Sequence, residues 1–301
     1  MRSTVACMTH ASPAADAWSR EQHRLTGIAY RMLGDYGLAE DVVSEVALAA
    51  VRAEREGTVR IWPAWLTTVC VRRSIDRLRQ VVSTREDYAG PWLPEPVATD
   101  RLPEEVVADR ELLSIALLHM AEQLRPEARA ALVLHRAMGM SAVEIAEILQ
   151  RSPAAVRQLI SRAERRLRID SRASIPPAAT PAVLAELVQA IETGEIDQIL
   201  HLLTDDAILW TDGGGRVRAA LNPIYGGERI ARFMAGVFAK ATAGSPPPLV
   251  SVTVLDVNGE SVLDVRLGPR RDLVAVDLDS AGRIRAIRQI ANPDKLARVP
   301  V

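Results

Sequence analysis

Apolar residues recur at helical spacing through the first half of the chain, and in short alternating or β-branched runs near its end. From Leu38 to Ala53, the positions Leu38, Val42, Val46, Ala49 and Ala53 predict a helix with one apolar face. Asp41, Glu45, Leu48 and Arg52 fall on its opposite side, so a leucine sits among carboxylates. A second helix is expected from Pro63, since proline suits a first helical turn, and continues through AWLTTVCVRRSIDRLR. Thr68, Arg72, Asp76 and Arg79 line one side of it, with Trp65 nearby and Arg73 and Arg77 flanking the row. A dense arginine helix of this kind can hold phosphates, and it can equally be a solvated amphipathic surface. From Val81 to about Pro103 the pattern breaks, because Pro91, Pro94 and Pro96 forbid a regular helix. Trp92 and Leu93 are costly to leave in water, so this linker is expected to dock on something.

Helical spacing resumes with Leu112, Ile115, Ala116 and Met120, and again from Glu127 to Met138. The following stretch, MSAVEIAEILQRSPAAVRQLISRAERRLR, predicts two helices and a short turn. Ser141 with Glu144 forms a capping box, and Val143, Ala146 and Leu149 are expected to face inward. Ser152 and Pro153 start the next helix, whose apolar stripe is Val156, Leu159, Ile160, Ala163 and Leu167. Its outer face carries Arg157, Gln158, Ser161, Arg162 and Arg165, donors suited to phosphates and base edges. Two such helices form a helix-turn-helix, with Gln150 where the turn often carries glycine.

Beyond Thr180 the character changes. Helices are expected at Pro181–Glu192, Ile196–Leu203 and Gly227–Ala241, with a short strand at Ala207–Thr211 before the loop Asp212–Arg216. Four strands follow at Val250–Val257, Ser261–Leu267, Leu273–Asp279 and Ile284–Ile290, separated by Asn258-Gly259, Gly268-Pro269 and Ala281-Gly282. Helices followed by an antiparallel meander predict an α+β cone.

The 301 residues suit two or three domains. The 37 basic and 38 acidic residues cancel to a net charge of −1, which excludes a uniformly basic coat but not a basic patch. Charge is in fact segmental. Arg60–Arg79 has five arginines against Asp76, Val81–Glu122 has three against nine acids, and Arg151–Arg168 has six against Glu164. Two basic blocks around an acidic linker suit two DNA-contacting modules. Two cysteines, Cys7 and Cys70, and five scattered histidines give no disulfide framework or metal motif, and no cofactor is expected. Without an 18-residue apolar run or a signal-peptide core, the expected location is the reducing cytoplasm.

Leu25–Arg168 resembles a bacterial extracytoplasmic-function (ECF) RNA polymerase sigma factor. LAEDVVSEVALAAV resembles the region 2 helix that grips the polymerase clamp. WPAWLTTVCVRRSIDRLR resembles the segment that opens and reads the −10 element, and the helix-turn-helix resembles region 4, which reads the −35 element. GPWLPEPV, DGGGR and NPDKL, in that order, are similar to motifs of the SigJ-type group, which adds a C-terminal SnoaL-like domain of the NTF2 fold. Arg216 stands where the glycine loop commonly has lysine.

The resemblance implies a multidomain protein: two all-α sigma modules followed by an α+β SnoaL-like cone. The implied boundaries are a tail at 1–15, region 2 at 16–84, a linker at 85–108, region 4 at 109–170, a second linker at 171–180 and the cone at 181–301. Implied partners are core RNA polymerase, through Asp41, Glu45 and Leu48, and promoter DNA. Trp65, Thr68, Arg72, Arg73, Asp76, Arg77 and Arg79 would serve the −10 element. Ser152, Arg157, Gln158, Ser161, Arg162 and Arg165 would serve the −35 element. Trp92, Leu93, Pro94, Glu95 and Pro96 are expected to dock on Asp212, Gly213, Gly214, Gly215 and Arg216 and on Asn292, Pro293, Asp294 and Lys295, letting the cone regulate the sigma modules. The rival readings are a small-molecule ligand in the cone, acid–base catalysis by His201, Asp205, Asp206 or Asp212, and a helix-turn-helix repressor.

Overall fold

The computed structural model describes residues 12–103, 113–167, 178–243 and 249–300. Helix α1 spans Pro13–Leu33, starting inside the expected tail because Ser12 caps it and Pro13 opens it. Helix α2, Tyr36–Glu56, is capped by Asp35 and stopped by Gly57 in the left-handed conformation. Its buried face is Ala39, Val42, Val43, Val46, Ala50 and Ala53, rotated slightly from the predicted stripe, so Leu38 and Ala49 sit at its margin. Helix α3 runs Trp62–Glu86, past the expected end of region 2 at 84 and into the segment read as linker.

Four more helices follow: α4 (Ile115–Ala121), α5 (Pro126–Arg136), α6 (Ala142–Leu149) and α7 (Pro153–Leu167). Leu112, and residues 171–177 of the linker expected at 171–180, lie outside the described residues. Ser141 and Glu144 make the predicted capping box, and Gln150 ends α6 at φ 54°, supplying the left-handed turn itself. The structure corrects one inward assignment. Val143 is exposed, and Ile145, Ala146 and Ile148 carry the buried face of α6. Val143 lies in the first turn, on the side away from α5 and α7 that remains in solvent.

The two helical modules share one core. Leu25, Ile28, Val46, Leu66 and Cys70 of α1–α3 are contiguous with Leu134, Ile145, Ile148, Val156 and Ile160 of α5–α7.

The C-terminal domain has α8 (Pro181–Thr193), α9 (Ile196–Leu202) and α10 (Gly227–Thr242), with six strands: β1 (Leu203–Asp212), β2 (Ile224–Tyr225), β3 (Val250–Val257), β4 (Glu260–Leu267), β5 (Arg270–Leu278) and β6 (Ile284–Ile290). The sheet order is β2-β1-β6-β5-β4-β3. The predicted meander is present from β3 to β6, but β1 is longer than expected and runs parallel to β6, so the sheet is mixed. Alternation sorts the residues of β5 to opposite faces. Val274 and Val276 join Leu184, Leu187, Ile199 and Ile230 under the helices, while Leu273 and Ala275 join Leu93 and Ile115 from the sigma half. Both faces of the sheet are therefore covered, one of them by the sigma modules.

Candidate nucleic-acid interface and interdomain latch

Helix α7 presents the −35 candidates on an open face. Its buried stripe fixes the rotation of the helix, and Ser152, Arg157, Gln158, Ser161, Arg162 and Arg165 are all exposed. Ser152 accepts from Ala155 N at 3.2 Å, as an N-cap should.

Helix α3 is placed differently. Thr68 donates to Ala64 O at 2.8 Å, and Trp65 packs edge-on to Trp62 at 5.6 Å. Arg72 donates to Ile148 O of α6 at 3.1 Å. Arg79 pairs with Asp76 at 2.9 Å and with Glu127 of α5 at 2.5 Å. Between α3 and α6 lies a cleft of about 640 Å³ lined by Thr67, Thr68, Glu144 and Glu147, so acids of region 4 face part of the −10 candidate surface.

On α2, Asp41 and Leu48 are exposed, Leu48 at 62%. Glu45 is held by Arg73 at 2.6 Å and Arg77 at 3.0 Å. This carboxylate and these two guanidiniums, read separately as polymerase and DNA contacts, form one ion cluster on the surface.

The linker motif, the glycine loop and the last loop meet in a buried site. Asp212, at the end of β1, is fully buried. Its carboxylate accepts from Leu93 N at 2.9 Å, Tyr88 Oη at 2.6 Å and Lys295 Nζ at 2.6 Å. Lys295 also donates to Leu93 O, and its ammonium lies 4.2 Å from the Trp92 ring centroid. Burial pulls Lys295 down to about 8, against the opposing pull of Asp212. The Arg85 guanidinium covers the Trp92 ring at 3.5 Å. Gly214 is left-handed at φ 57°, and a β-carbon there would strike the Asn292 side chain, which donates to Tyr88 Oη at 2.9 Å. Leu93, Pro94, Glu95 and Pro96 are buried. Glu95 accepts from Tyr36 N at 2.6 Å and pairs with Arg298 at 3.1 Å, so the motif grips region 2 and the C-terminal domain together. Gly215, Arg216, Pro293 and Asp294 form the exposed rim, where Arg216 and Asp294 pair at 3.0 Å, and Gly213 lies buried beneath.

Sequence reasoning missed two further contacts. Arg288 pairs with Asp277 at 2.7 Å and donates to His119 at 3.2 Å, burying an ion pair between α4 and the sheet. Burial, with Arg288 and Lys295 near, holds His119 down at about 3. The other is the β3–β4 turn, where Asn258 and Glu260 bind three sigma segments. The Asn-Gly pair marked a hairpin, but nothing in its spacing marked its partners.

The four acid–base candidates do not converge. His201, Asp205 and Asp206 are exposed, while Asp212 is committed to Lys295. Seven residue steps along one strand separate Asp205 from Asp212, roughly 23 Å at about 3.3 Å each. Among the described residues no cluster of His, Cys, Asp and Glu could hold a metal ion. None of their helices is long and apolar enough to cross a membrane.

Two helical modules with an exposed helix-turn-helix face and an arginine-rich companion helix define a promoter-reading initiation factor. The sigma-70 region 2 family model matches residues 17–83, and the sigma-70 region 4 model matches residues 114–167. The chain is 35% identical over 299 residues to the ECF RNA polymerase sigma factor SigJ of Mycobacterium tuberculosis, covering 93% of this chain and 92% of that one. It is 31% identical over 202 residues to the probable ECF sigma factor SigI of the same species, covering 65% and 69% of the two chains. The crystal structure of M. tuberculosis SigJ aligns with TM-score 0.73 at 32% identity, over 95% of this chain and 98% of that one. The chain belongs to the ECF RNA polymerase sigma factor family.

Proposed function

We propose that this sigma factor, which binds core RNA polymerase and directs promoter recognition through regions 2 and 4, is held in a closed form by its own C-terminal domain. The observation that carries the reading is the buried carboxylate of Asp212, which ties the linker, at Tyr88 and Leu93, to the C-terminal loop at Lys295. A buried charge bound on three sides is an all-or-none contact: once one partner leaves, the others lose their reason to stay.

The closed form has consequences for DNA. The −10 and −35 elements are centred about 25 base pairs apart, which at about 3.4 Å per step is roughly 85 Å. Regions 2 and 4 share a core here, so they must separate before both elements are read. In this reading α7 binds the −35 major groove, α3 serves the −10 element once α6 moves off it, and Asp41 with Leu48 docks on the polymerase clamp. It acts in the cytoplasm, where polymerase works.

Run-off transcription with core polymerase tests this. Asp212→Asn and truncation after residue 170 should each change promoter-dependent transcript yield several-fold relative to the full chain. Unchanged yield from both would remove the C-terminal domain from regulation.

A further inference from the structure

The β3–β4 turn lies outside the three motifs, yet it binds three separate segments of the sigma half, at Tyr30, at Val97–Thr99 and at Leu113–Ile115. Asn258 and Gly259 both have positive φ, 55° and 76°, the geometry of a tight two-residue hairpin turn. A turn at this position would ordinarily be solvated. Asn258 is instead fully buried, and every polar atom of its side chain is used. Its Oδ1 accepts from Val97 N at 2.9 Å. Its Nδ2 donates to Leu113 O at 2.8 Å and to Tyr30 Oη at 2.7 Å. The backbone adds Asn258 N to Val97 O at 2.9 Å and Gly259 N to Thr99 Oγ1 at 2.9 Å. Next in the chain, Glu260 accepts from Ile115 N at 2.8 Å.

Val97–Thr99 and Leu113–Ile115 are the two ends of the connector between region 2 and region 4. One turn therefore holds both ends, and one side-chain amide bonds to both. The 16 residue steps from Val97 to Leu113, if released, could span roughly 55 Å at about 3.3–3.6 Å each. Held by Asn258, those ends stay within one side chain of each other.

We propose that the turn Asn258–Glu260 is a connector clasp, distinct from the Asp212–Lys295 latch, that sets how far the two promoter-reading modules can separate. The proposal rests on the reading that the modules must part to work. Asn258 is its positioning residue. Asparagine meets three demands together: it tolerates left-handed backbone, it donates to two acceptors, and it accepts from an amide. The substitution Asn258→Asp keeps the turn and the acceptor but loses both donors, and sets negative charge against the Leu113 carbonyl.

The test uses the full chain with spin labels on cysteines introduced at Arg55→Cys in α2 and Arg166→Cys in α7, both exposed positions. Cys7→Ser removes one native thiol. Cys70 is buried, with its thiol pushed up to about 12, and will not label. Pulsed electron–electron resonance on the free protein should give one narrow distance. Asn258→Gly, which keeps the turn geometry and deletes the side chain, should add a population tens of ångströms longer, and Asn258→Asp should do the same. Circular dichroism checks that each variant folds, and Thr99→Val, a partly exposed change, serves should either fail, with a smaller long-distance population expected. An unaltered distance in every folded clasp variant overturns the clasp. Asp212→Asn is measured alongside: a shift there alone leaves the latch and removes the clasp, and a shift in the clasp variants alone does the reverse.

Discussion

At the scale of single residues, the fold commits several charges to the interior. Asp212 and Lys295 are both buried, so removing one charge strands the other. Asp212→Asn should cost about 3–5 kcal/mol of stability, Lys295→Met a comparable amount, and the double variant less than the sum. A urea-denaturation double-mutant cycle measures the coupling. Glu260 is pushed up to about 7, first by burial and then by the charge of Asp277, while Ile115 N and Arg288 pull it back. Its folded value lies above its ordinary value, so the protonated carboxyl favours the fold. The contribution is complete below about pH 4.5 and is lost as pH rises through about 7. His119, in the same network, works oppositely. Its depressed value contributes stability above about pH 6.5 that is lost as pH falls towards about 3. Glu260→Gln should therefore remove the loss of stability between pH 5 and 8. Melting temperatures across that range, compared with His119→Gln, separate the two.

Helices were the most legible elements, because their signals are local. Pro63, the Ser141–Glu144 box and the Ser152–Pro153 start placed three helix beginnings from neighbouring residues alone. The amphipathic stripe of α7 also fixed its outer face, so five of the six −35 candidates were readable as exposed, the sixth, Ser152, being the cap before it. Errors came where tertiary contact chose among local options, as with Val143, and where α3 continues to Glu86, with Arg85 in its last turn paired to Glu122. Two measurements belong to this scale. Gln150 holds φ 54° at the end of α6, where glycine has no steric cost. Gln150→Gly should raise stability by about 0.5–1 kcal/mol, read as a higher melting temperature. On α2, Leu48→Glu should leave melting unchanged, since Leu48 is 62% exposed, and should weaken core polymerase capture at least tenfold.

At the scale of the whole molecule, near-neutral charge is a sum over segments that the fold brings together. Acids of region 4 meet arginines of α3: Glu127 takes Arg79 and Glu122 takes Arg85, while Glu122 also holds the buried Arg129 of α5. These pairs neutralise two arginines of α3, and in the proposed reading opening would free them for DNA. A compact chain of this length has a radius of gyration of roughly 19 Å. Small-angle scattering of the free protein should give about that value, and Asp212→Asn should increase it by several ångströms.

The amino-acid sequence alone determined the order of modules, nearly every helix and strand, the outer face of α7 and the membership of the three motifs in one group. Those properties depend on spacing, caps and turn residues that lie within a few positions of one another. Only the tertiary structure decided that the Thr67–Thr68 side of α3 looks toward α6, that Glu45 closes on Arg73 and Arg77, and that the Asn258 turn holds both ends of the connector. Hydrogen bonds between residues more than a hundred positions apart leave no periodic trace in the chain, because each partner is locally an ordinary residue whose role exists only once the other arrives.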